Sequence, residues 1–436
     1  MEIAAVVQNL GSDAVEAFTP AWTESEACYP YPHPFFLDDA YVKDVRARAK
    51  LDAGLIDVLV RTAGIIRSDE ALSHMAWHCY RLLYLKRDYY QFGKWPLFTE
   101  KLGSDAGVFY LLIVLASAER TIAIHGARGI PADITDGVLL DYGIGVARFG
   151  RFHSGKIGSP HTHVPWYRNH YDGVLFRLGR LQYVINPMRY AIRVYRNSRT
   201  HEVLALSEPG LKFTGDGFVD SIPQVNEKNG FTASLAFDGT NIIGNPILPT
   251  GTAAREKVRL PVSIWKNAVA RDDMLLAMHI PEGGGMGIDK CRASMEEAFP
   301  FYEKYVPESP AKGIMCSSWI FSPEYGSFYS QDVNFVRYQH ELYLFPVHSS
   351  GKDGVYFVFD REDVTDPKDL PRDSSLRIAM ADRLINGGVL RSGGMFFLPE
   401  EMPKFGTQCY RSQPWVAALT AGDSIALANS DMDIAD

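Results

Sequence analysis

The stretch Met274-Leu-Leu-Ala-Met-His-Ile-Pro-Glu-Gly-Gly-Gly-Met-Gly287 decides how the rest of the chain is interpreted. Its first seven residues form a continuous apolar run, which is typical of a strand buried on both faces. A glycine-rich loop follows, and a helical pattern begins near Asp289. Glycines let backbone N–H groups approach a ligand closely, and the helix dipole favours negative charge at this end. The stretch therefore predicts a site for a phosphate-bearing ligand.

Between this loop and Asp360 the sequence predicts a helix, a strand, a second helix, a strand and a hairpin strand. The first helix has an apolar stripe formed by Cys291, Met295, Ala298 and Tyr302, and Pro300 is expected to kink or end it. The next strand covers 314–321. Ser322-Pro323-Glu324 then starts the short second helix, with proline in its favoured first position.

The first 150 residues predict a helical domain. Apolar residues at helical spacing cover four segments: Tyr41–Ile66, Ser68–Arg87, Val108–His125 and Asp133–Phe149. The most apolar run, Gly107–Ala118, is shorter than the roughly 20 residues that cross a bilayer, so we expect a buried core helix and no membrane partner.

After a glycine- and histidine-rich connector at 150–163, the pattern changes to short strands. Asp216-Gly217, Asn229-Gly230 and Asp238-Gly239 are hairpin signals and predict an antiparallel meander. The predicted strands are Leu181–Ile185, Tyr190–Tyr195, Val203–Leu206, Phe231–Ala236 and Asn241–Ile243. We expect three regions: a helical domain at 1–150, an α+β domain at 151–360, and an extension at 361–436 packed on it. The acidic end, Asp431–Asp436, is expected to be disordered.

Composition narrows the class of protein. A net charge of −8 and a pI near 5.9 argue against nucleic acid as a partner, since phosphate backbones require a basic surface. The five cysteines are scattered without CxxC spacing, which predicts free thiols in a reducing cytoplasm. The first residues lack the basic and apolar regions of a signal peptide, which also favours a cytoplasmic location.

Five segments of the chain carry a family resemblance: Leu175-Phe-Arg-Leu-Gly-Arg-Leu-Gln-Tyr183, His279-Ile-Pro-Glu-Gly-Gly284, Cys291-Arg-Ala-Ser-Met-Glu-Glu-Ala298, Cys316-Ser-Ser-Trp319 and Asp332-Val-Asn-Phe-Val-Arg-Tyr-Gln339. With these segments the chain resembles a family of bacterial acyltransferases that combine a helical N-acyltransferase-type N-terminal domain with a GNAT-like C-terminal domain. The resemblance implies an α+β fold, in which a mixed, mostly antiparallel sheet with flanking helices follows the helical domain. It also implies transfer of an acyl group from acyl-coenzyme A (acyl-CoA) or acetyl-CoA to an amine or hydroxyl of a small acceptor. The sequence does not indicate an oligomeric state.

The same resemblance assigns site residues. The GNAT motif Gln/Arg-x-x-Gly-x-Gly/Ala aligns with Gly285 and Gly287, but Glu282 occupies the Gln/Arg position. The implied CoA-binding residues are Met278, Ile280, Gly283, Gly284, Gly285, Met286 and Gly287. His279 would be the general base, with backbone N–H groups of the following strand holding the oxyanion, and Tyr325 would protonate the leaving thiolate. Tyr329 shares a helix face with Tyr325 and is a second candidate.

Several alternatives remain open on sequence alone. Cys316 is either a nucleophile paired with His279 or a small buried residue, and the tyrosines are either acids or core. Arg177, Arg180 and Gln182 either bind the acceptor or pair with acidic residues. Three histidines of the connector and one shortly after it suggest a zinc site only weakly, so no metal is predicted; they are His153, His161, His163 and His170.

Two other functions also remain possible. The GNAT-like region would be a non-catalytic ligand-binding or regulatory module if Glu282 repels the diphosphate. A Cys-dependent hydrolase would use Cys316 and His279 without CoA.

Overall fold

The computed structural model describes residues 1–223, 225, 229–422 and 427–435. The chain forms two compact units, Met1–Leu178 and Gly179–Asp436. These bounds differ from the predicted ones, because the connector at 151–163 belongs to the first unit and the segment after residue 360 belongs to the second.

The first unit is helical, as predicted. The segment Tyr41–Ile66 is divided between two helices, because the backbone turns at Lys50, where φ is 54°. In chain order the elements are α1 (Ile3–Asn9), α2 (Val15–Phe18), α3 (Trp22–Ala27), α4 (Asp39–Arg48), α5 (Ile56–Ser68), α6 (Glu70–Tyr84), α7 (Thr99–Leu102), α8 (Ala106–Ala127), α9 (Ala132–Phe152), α10 (Tyr167–Tyr171) and a short strand, β1 (Phe176–Leu178).

Helix α8 forms the centre of this unit. Within the described residues, the segment Thr99–Ala127 is the one stretch whose length and composition would allow it to cross a membrane, and 72% of its most apolar window is buried inside the structure. Residues 106–118 of α8 are all buried in the core of the unit. Burial among the other helices accounts for the apolar composition, and the prediction of a core helix is confirmed.

The second unit contains the sheets. Its strands are β2 (Leu181–Pro187), β3 (Ile192–Asn197), β4 (Val203–Ser207), β5 (Lys212–Phe213), β6 (Phe231–Thr232), β7 (Leu235–Phe237), β8 (Asn241–Gly244), β9 (Pro246–Leu248), β10 (Thr252–Ala253), β11 (Lys257–Pro261), β12 (Trp265–Val269), β13 (Met274–His279), β14 (Ile314–Ser318), β15 (Tyr343–Pro346), β16 (Gly393–Phe397) and β17 (Asp433–Ala435). Its helices are α11 (Ile288–Tyr305), α12 (Tyr325–Phe328), α13 (Asn334–His340), α14 (Val355–Phe359), α15 (Ser375–Ile385) and α16 (Pro414–Ala421).

The main sheet of this unit has the order β2–β13–β14–β16–β15. Only the β13–β14 pair is parallel, and the other pairs are antiparallel. A second sheet has the order β10–β9–β4–β3–β12, and a third has the order β17–β11–β8–β7. The mixed, mostly antiparallel sheet with flanking helices is therefore confirmed.

The single antiparallel meander is wrong, because β2 joins the main sheet while β3 and β4 join the second. Of the three hairpin signals, Asp238-Gly239 does connect two paired strands, β7 and β8. Backbone N–H groups of Thr240 and Asn241 donate to the Asp238 carboxylate and hold its pKa well below its usual range. Asn229-Gly230 instead precedes β6, which pairs with β5.

The C-terminal part of the chain is built into the sheets. The predicted hairpin strand before Asp360 is wrong, since residues 355–359 form helix α14 and the strand beside β15 is β16. Disorder at the acidic end is also wrong for residues 433–435, which pair with β11 as strand β17. Asp436 lies outside the described residues.

Candidate active site

A gap opens between the two parallel strands at the centre of the main sheet. The ladder that joins β13 to β14 ends at Ala277 and Met315. Beyond that point β13 stays paired with β2 as far as His279, and β14 stays paired with β16 as far as Ser318. The carboxyl ends of the two strands therefore diverge, and the backbone edges of two strands line a cleft between them.

The register of the strands decides which side chains reach which face at this gap. Ala277 is opposite Met315 in the parallel ladder, so His279 and Ser317, two residues further on, lie on that same face. Gln182 is directly opposite His279 in the antiparallel ladder and shares the face. We call this the gap face; Ser317 is exposed on it and His279 is half-buried.

The opposite face carries the intervening residues and is closed by helices. Tyr183, Met278 and Cys316 lie on it, by the same register. The Tyr183 hydroxyl is 3.1 Å from Ser294 Oγ of α11, and the Tyr338 hydroxyl of α13 donates to Met278 Sδ at 3.5 Å. We call this the helix face, and Met278 is 1% exposed on it.

Strand β13 leads into the glycine loop and helix α11. Gly283, Gly284 and Gly285 have φ values of 81°, 72° and 64°, a backbone region that favours glycine. Open space surrounds the Cβ position of Gly283, Gly285 and Gly287. Gly287 is the N-cap of α11 and provides no side-chain cap, so the first-turn N–H groups of an 18-residue helix lie beside an exposed loop.

The CoA-binding residues predicted at this loop divide into two groups. The backbones of the glycines are accessible, and Ile280 is half-buried. Met278 and Met286 have buried side chains, 1% and 7% exposed, so only their backbone groups can meet a ligand. The helix itself differs from prediction, since α11 continues through Pro300 to Tyr305; its predicted apolar stripe is buried as expected.

Arg180 lies against the glycine loop. Its Nε donates to the Gly285 carbonyl oxygen, and its Cδ and Nε are each 3.5 Å from the Cβ position of Gly284. The Arg180 guanidinium is thus held beside the glycine loop. This is the loop in which Glu282 replaces the Gln or Arg of the GNAT motif. The sequence left Arg180 either binding the acceptor or pairing with acidic residues, and the geometry places it beside the glycine loop.

Cys316 and His279 do not form a nucleophile–base pair, because the register puts them on opposite faces of the sheet. Cys316 is 8% exposed, and burial raises the pKa of its thiol to about 12. A nucleophilic cysteine needs a lowered pKa and a neighbouring base. The structure supports the alternative reading of Cys316 as a small buried core residue.

Tyr325 also lies in a core. Its side chain is 1% exposed within an apolar cluster that includes Val336 and Met380, and its hydroxyl is 3.7 Å from Met380 Sδ. Burial raises its pKa well above the usual value. Tyr329 lies just beyond the four-residue helix α12, and its hydroxyl is 2.8 Å from Ser375 Oγ. The structure thus gives neither tyrosine a position on the gap face.

The four histidines considered as zinc ligands lie in the first unit. His161 and His163 lie in a 3₁₀ helix rather than on a strand, and burial lowers the pKa of His163 to about 4. His170 Nε2 is 3.2 Å from the Asp141 carboxylate. Within the described residues, no three or more His, Cys, Asp or Glu side chains are placed to hold a metal ion. Arg177 lies on β1 in the same unit, where its side chain packs against Gly137.

Sequence reasoning gave no role to Ser317 or Tyr190, which the structure brings near each other around Gly394 and Phe345. Tyr190 was read only as the start of a strand, whereas it precedes β3. No motif spacing links two residues that are 127 positions apart in sequence. Ser317 alone could have been noticed, because it is polar and follows the apolar start of its strand, Ile-Met-Cys.

Comparison with family models gives two matches that together cover most of the chain. The GNAT-like C-terminal domain matches residues 175–397, and the N-acyltransferase N-terminal domain matches residues 41–173. The first of these covers the main sheet, the gap and the glycine loop. A comparison with curated proteins gives no match.

Solved structures similar to this chain include an acyltransferase in complex with decanoyl-CoA and teicoplanin, at 20% identity and a TM-score of 0.61, covering 91% of this chain and 99% of the other. A mutant acyltransferase in complex with octanoyl-CoA has 19% identity and a TM-score of 0.60, with coverages of 92% and 100%. A third, in complex with CoA and 10C-teicoplanin, has 19% identity and a TM-score of 0.61, with coverages of 91% and 99%. At this level of identity the likeness concerns the fold.

Proposed function

The chain belongs to the family of proteins with a GNAT-like C-terminal domain, preceded by an N-acyltransferase N-terminal domain, and on that premise we propose that it transfers an acyl group from acyl-CoA to an amine or hydroxyl of a small molecule. The gap between β13 and β14, next to the glycine loop, is the observation that carries the proposal. The similar solved acyltransferases, which hold CoA or acyl-CoA, support this donor.

The residues at the loop suit a diphosphate. Three consecutive glycines in the left-handed region, with open space around two of them, let backbone N–H groups face an anion. The helix dipole of α11 adds a partial positive charge at the same place. Arg180, bonded to the loop at Gly285, adds a full positive charge. The carboxylate of Glu282 opposes binding, and the Arg180 guanidinium offsets it.

His279 is the residue best placed to accept a proton. It lies at the carboxyl end of β13, half-buried on the gap face beside Gln182. An acceptor amine that attacks the thioester carbonyl must lose a proton as the new C–N bond forms, and the C–S bond then breaks to release the thiolate of CoA. A neutral imidazole takes up that proton near neutral pH.

The acceptor is proposed only as a class. Gln182, buried opposite His279, offers an amide that can orient an amine or hydroxyl group. Teicoplanin is the acceptor named for two of the similar solved structures, which supports a small-molecule acceptor here. A cytoplasmic location would give the protein access to acyl-CoA.

The first test is thermal unfolding with and without CoA, acetyl-CoA and decanoyl-CoA. A ligand that binds the native state adds about 2.7 kcal/mol of stability at a hundredfold excess over Kd. We expect a rise in Tm of several degrees, and we expect Gly285→Val to abolish it by blocking the loop. Gly387→Val is the matched control, because Gly387 also has a positive φ, 77°, with open space around its Cβ position.

Release of CoA thiol in the presence of amine acceptors then separates catalysis from binding. Binding of acyl-CoA without thiol release from any acceptor would favour a non-catalytic ligand-binding module, the reading that Glu282 suggested. The proposal would be contradicted if none of the three ligands raised Tm. Thiol release from a Cys316→Ala variant would exclude the Cys-dependent hydrolase.

A further inference from the structure

Ser317 carries an exposed hydroxyl at the gap. It lies on β14 where this strand has already separated from β13, it is exposed, and it shares the gap face with His279. The residues before it on the strand, 314–316, are all buried. A polar side chain at the edge of a cleft between diverging strands is available to a ligand that enters the cleft.

A glycine beside Ser317 makes room for an aromatic cluster. Gly394 of β16 is directly opposite Ser317, and it is also opposite Phe345 of β15. The ring of Phe345 occupies the space in which a Cβ at position 394 would lie. Tyr190 packs on this ring with 5.1 Å between centroids and a 60° interplanar angle.

The cluster brings the Tyr190 hydroxyl to Ser317. Burial raises the pKa of Tyr190 to about 12, and the neighbouring Ser317 side chain lowers it by a smaller amount, so the phenol keeps its proton at neutral pH. A retained proton lets Tyr190 donate to Ser317 Oγ. The proton of Ser317 is then free to point away from Tyr190, towards the gap.

We propose that the Ser317 hydroxyl donates a hydrogen bond to the carbonyl oxygen of the acyl thioester as that oxygen becomes negatively charged, and that Tyr190 is the positioning residue that orients Ser317. The inference rests on the proposed acyl transfer. Attack by the acceptor forms the new bond to the carbonyl carbon and moves one electron pair onto oxygen. When the carbonyl re-forms, the C–S bond breaks and sulfur leaves with the electron pair. Ser317 keeps its proton throughout.

This assignment differs from stabilisation by backbone N–H groups alone, which the sequence suggested. A fixed donor at the oxyanion is worth about 100-fold in rate, because it is already oriented before charge develops. Orientation of that donor through one hydrogen bond is worth less, about 3- to 10-fold. The two substitutions should therefore differ in size and should not be additive.

The test measures steady-state thiol release from decanoyl-CoA with hydroxylamine as the acceptor. We expect Ser317→Ala to lower kcat about 100-fold with little change in KM. Ser317→Thr, which keeps a hydroxyl, should restore most of the rate. Tyr190→Phe should lower kcat about 3- to 10-fold in the wild type and should have no further effect in Ser317→Ala.

Tyr343→Phe is the matched control on the same face. The Tyr343 hydroxyl accepts from the Ala205 N–H at 3.0 Å and donates to the Ile247 carbonyl, so its loss should lower Tm without changing kcat. Full activity of Ser317→Ala would overturn the inference. So would a double variant in which the kcat losses of Ser317→Ala and Tyr190→Phe multiply. Absence of thiol release from the wild type would instead overturn the proposed acyl transfer, and the inference with it.

Discussion

At the carboxyl ends of β13 and β14 the two faces of the main sheet have opposite properties, although their residues alternate along the same strands. On the helix face Met278 and Cys316 are buried against α11 and α13, and the Tyr338 hydroxyl donates to Met278 Sδ and to Met295 Sδ, at 3.5 and 3.0 Å. On the gap face His279 and Ser317 remain accessible.

The comparison shows that proximity in sequence is a poor guide to chemistry on a strand. His279 follows Met278, and Ser317 follows Cys316, yet each pair is divided between core and cleft because side chains alternate with a period of two. A cysteine next to the cleft in sequence is thereby kept out of it, and its pKa rises with burial. The helix face is part of the core, and the gap face carries the two residues for which we propose proton transfer and charge stabilisation.

The largest expected effect comes from substituting His279 on the gap face. Removing a general base typically costs about 10²- to 10⁴-fold in rate, so His279→Ala should lower kcat for thiol release by that factor. Acyl-CoA binding, measured by thermal shift, should persist because the glycine loop is intact. The matched substitution on the helix face is Cys316→Ala, which should change kcat by less than about twofold, since the thiol is buried and protonated at neutral pH.

Activity that depends on Cys316 and not on His279 would reverse the comparison. Thiol alkylation that abolishes thiol release by the wild type, but not by Cys316→Ala, would also show that Cys316 is the reactive residue.

The next effect is on stability and belongs to the helix face. Met278→Ala removes a side chain that is 1% exposed and contacted by Tyr338, and it should lower the free energy of unfolding by about 2–5 kcal/mol. Denaturant unfolding measures the change. Ser317→Ala, on the exposed side of the neighbouring strand, is the control and should change this free energy by less than about 0.5 kcal/mol. Equal losses from the two substitutions would show that both faces are core.

The smallest effect is expected at Tyr325. Its hydroxyl contacts only a thioether within the apolar cluster among its described partners, so Tyr325→Phe should leave kcat and its pH profile within about twofold of the wild type. If Tyr325 protonated the leaving thiolate, kcat of the wild type would fall at high pH as the phenol loses its proton. Tyr325→Phe would then remove that fall from the pH profile. A shifted pH profile of kcat would return Tyr325 to the catalytic role that the family resemblance implied.

Much of the fold was predictable from local patterns. The apolar run at 274–279 becomes β13, the glycine loop precedes α11, and the helical periodicity of the first unit is confirmed. The helix was predicted to kink or end at Pro300, because proline inside a helix is destabilising. Burial of the apolar stripe Cys291–Tyr302 offsets that cost, and the helix continues. The hairpin strand before Asp360 was misplaced because β16 comes from 393–397, and no local pattern reports which distant strand pairs with β15.

The candidate site was predictable only in part. The glycine loop and His279 follow from motif position, but the partners of Arg180 do not, since its contact with Gly285 joins residues 105 positions apart. The same holds for Tyr190 and Ser317, which lie near each other because Gly394, opposite Ser317, leaves room for the Phe345 ring on which Tyr190 packs.

Local sequence specifies the elements around the site: periodicity specifies a buried strand, and glycines specify a loop with positive φ before a helix. Tertiary packing sets where the strands separate, which of two adjacent residues faces the gap, and which cation lies beside the glycine loop. The physical reason is that hydrophobic period and backbone preference are local properties of the chain. Strand register, and contacts between residues a hundred positions apart, depend on how the whole unit packs.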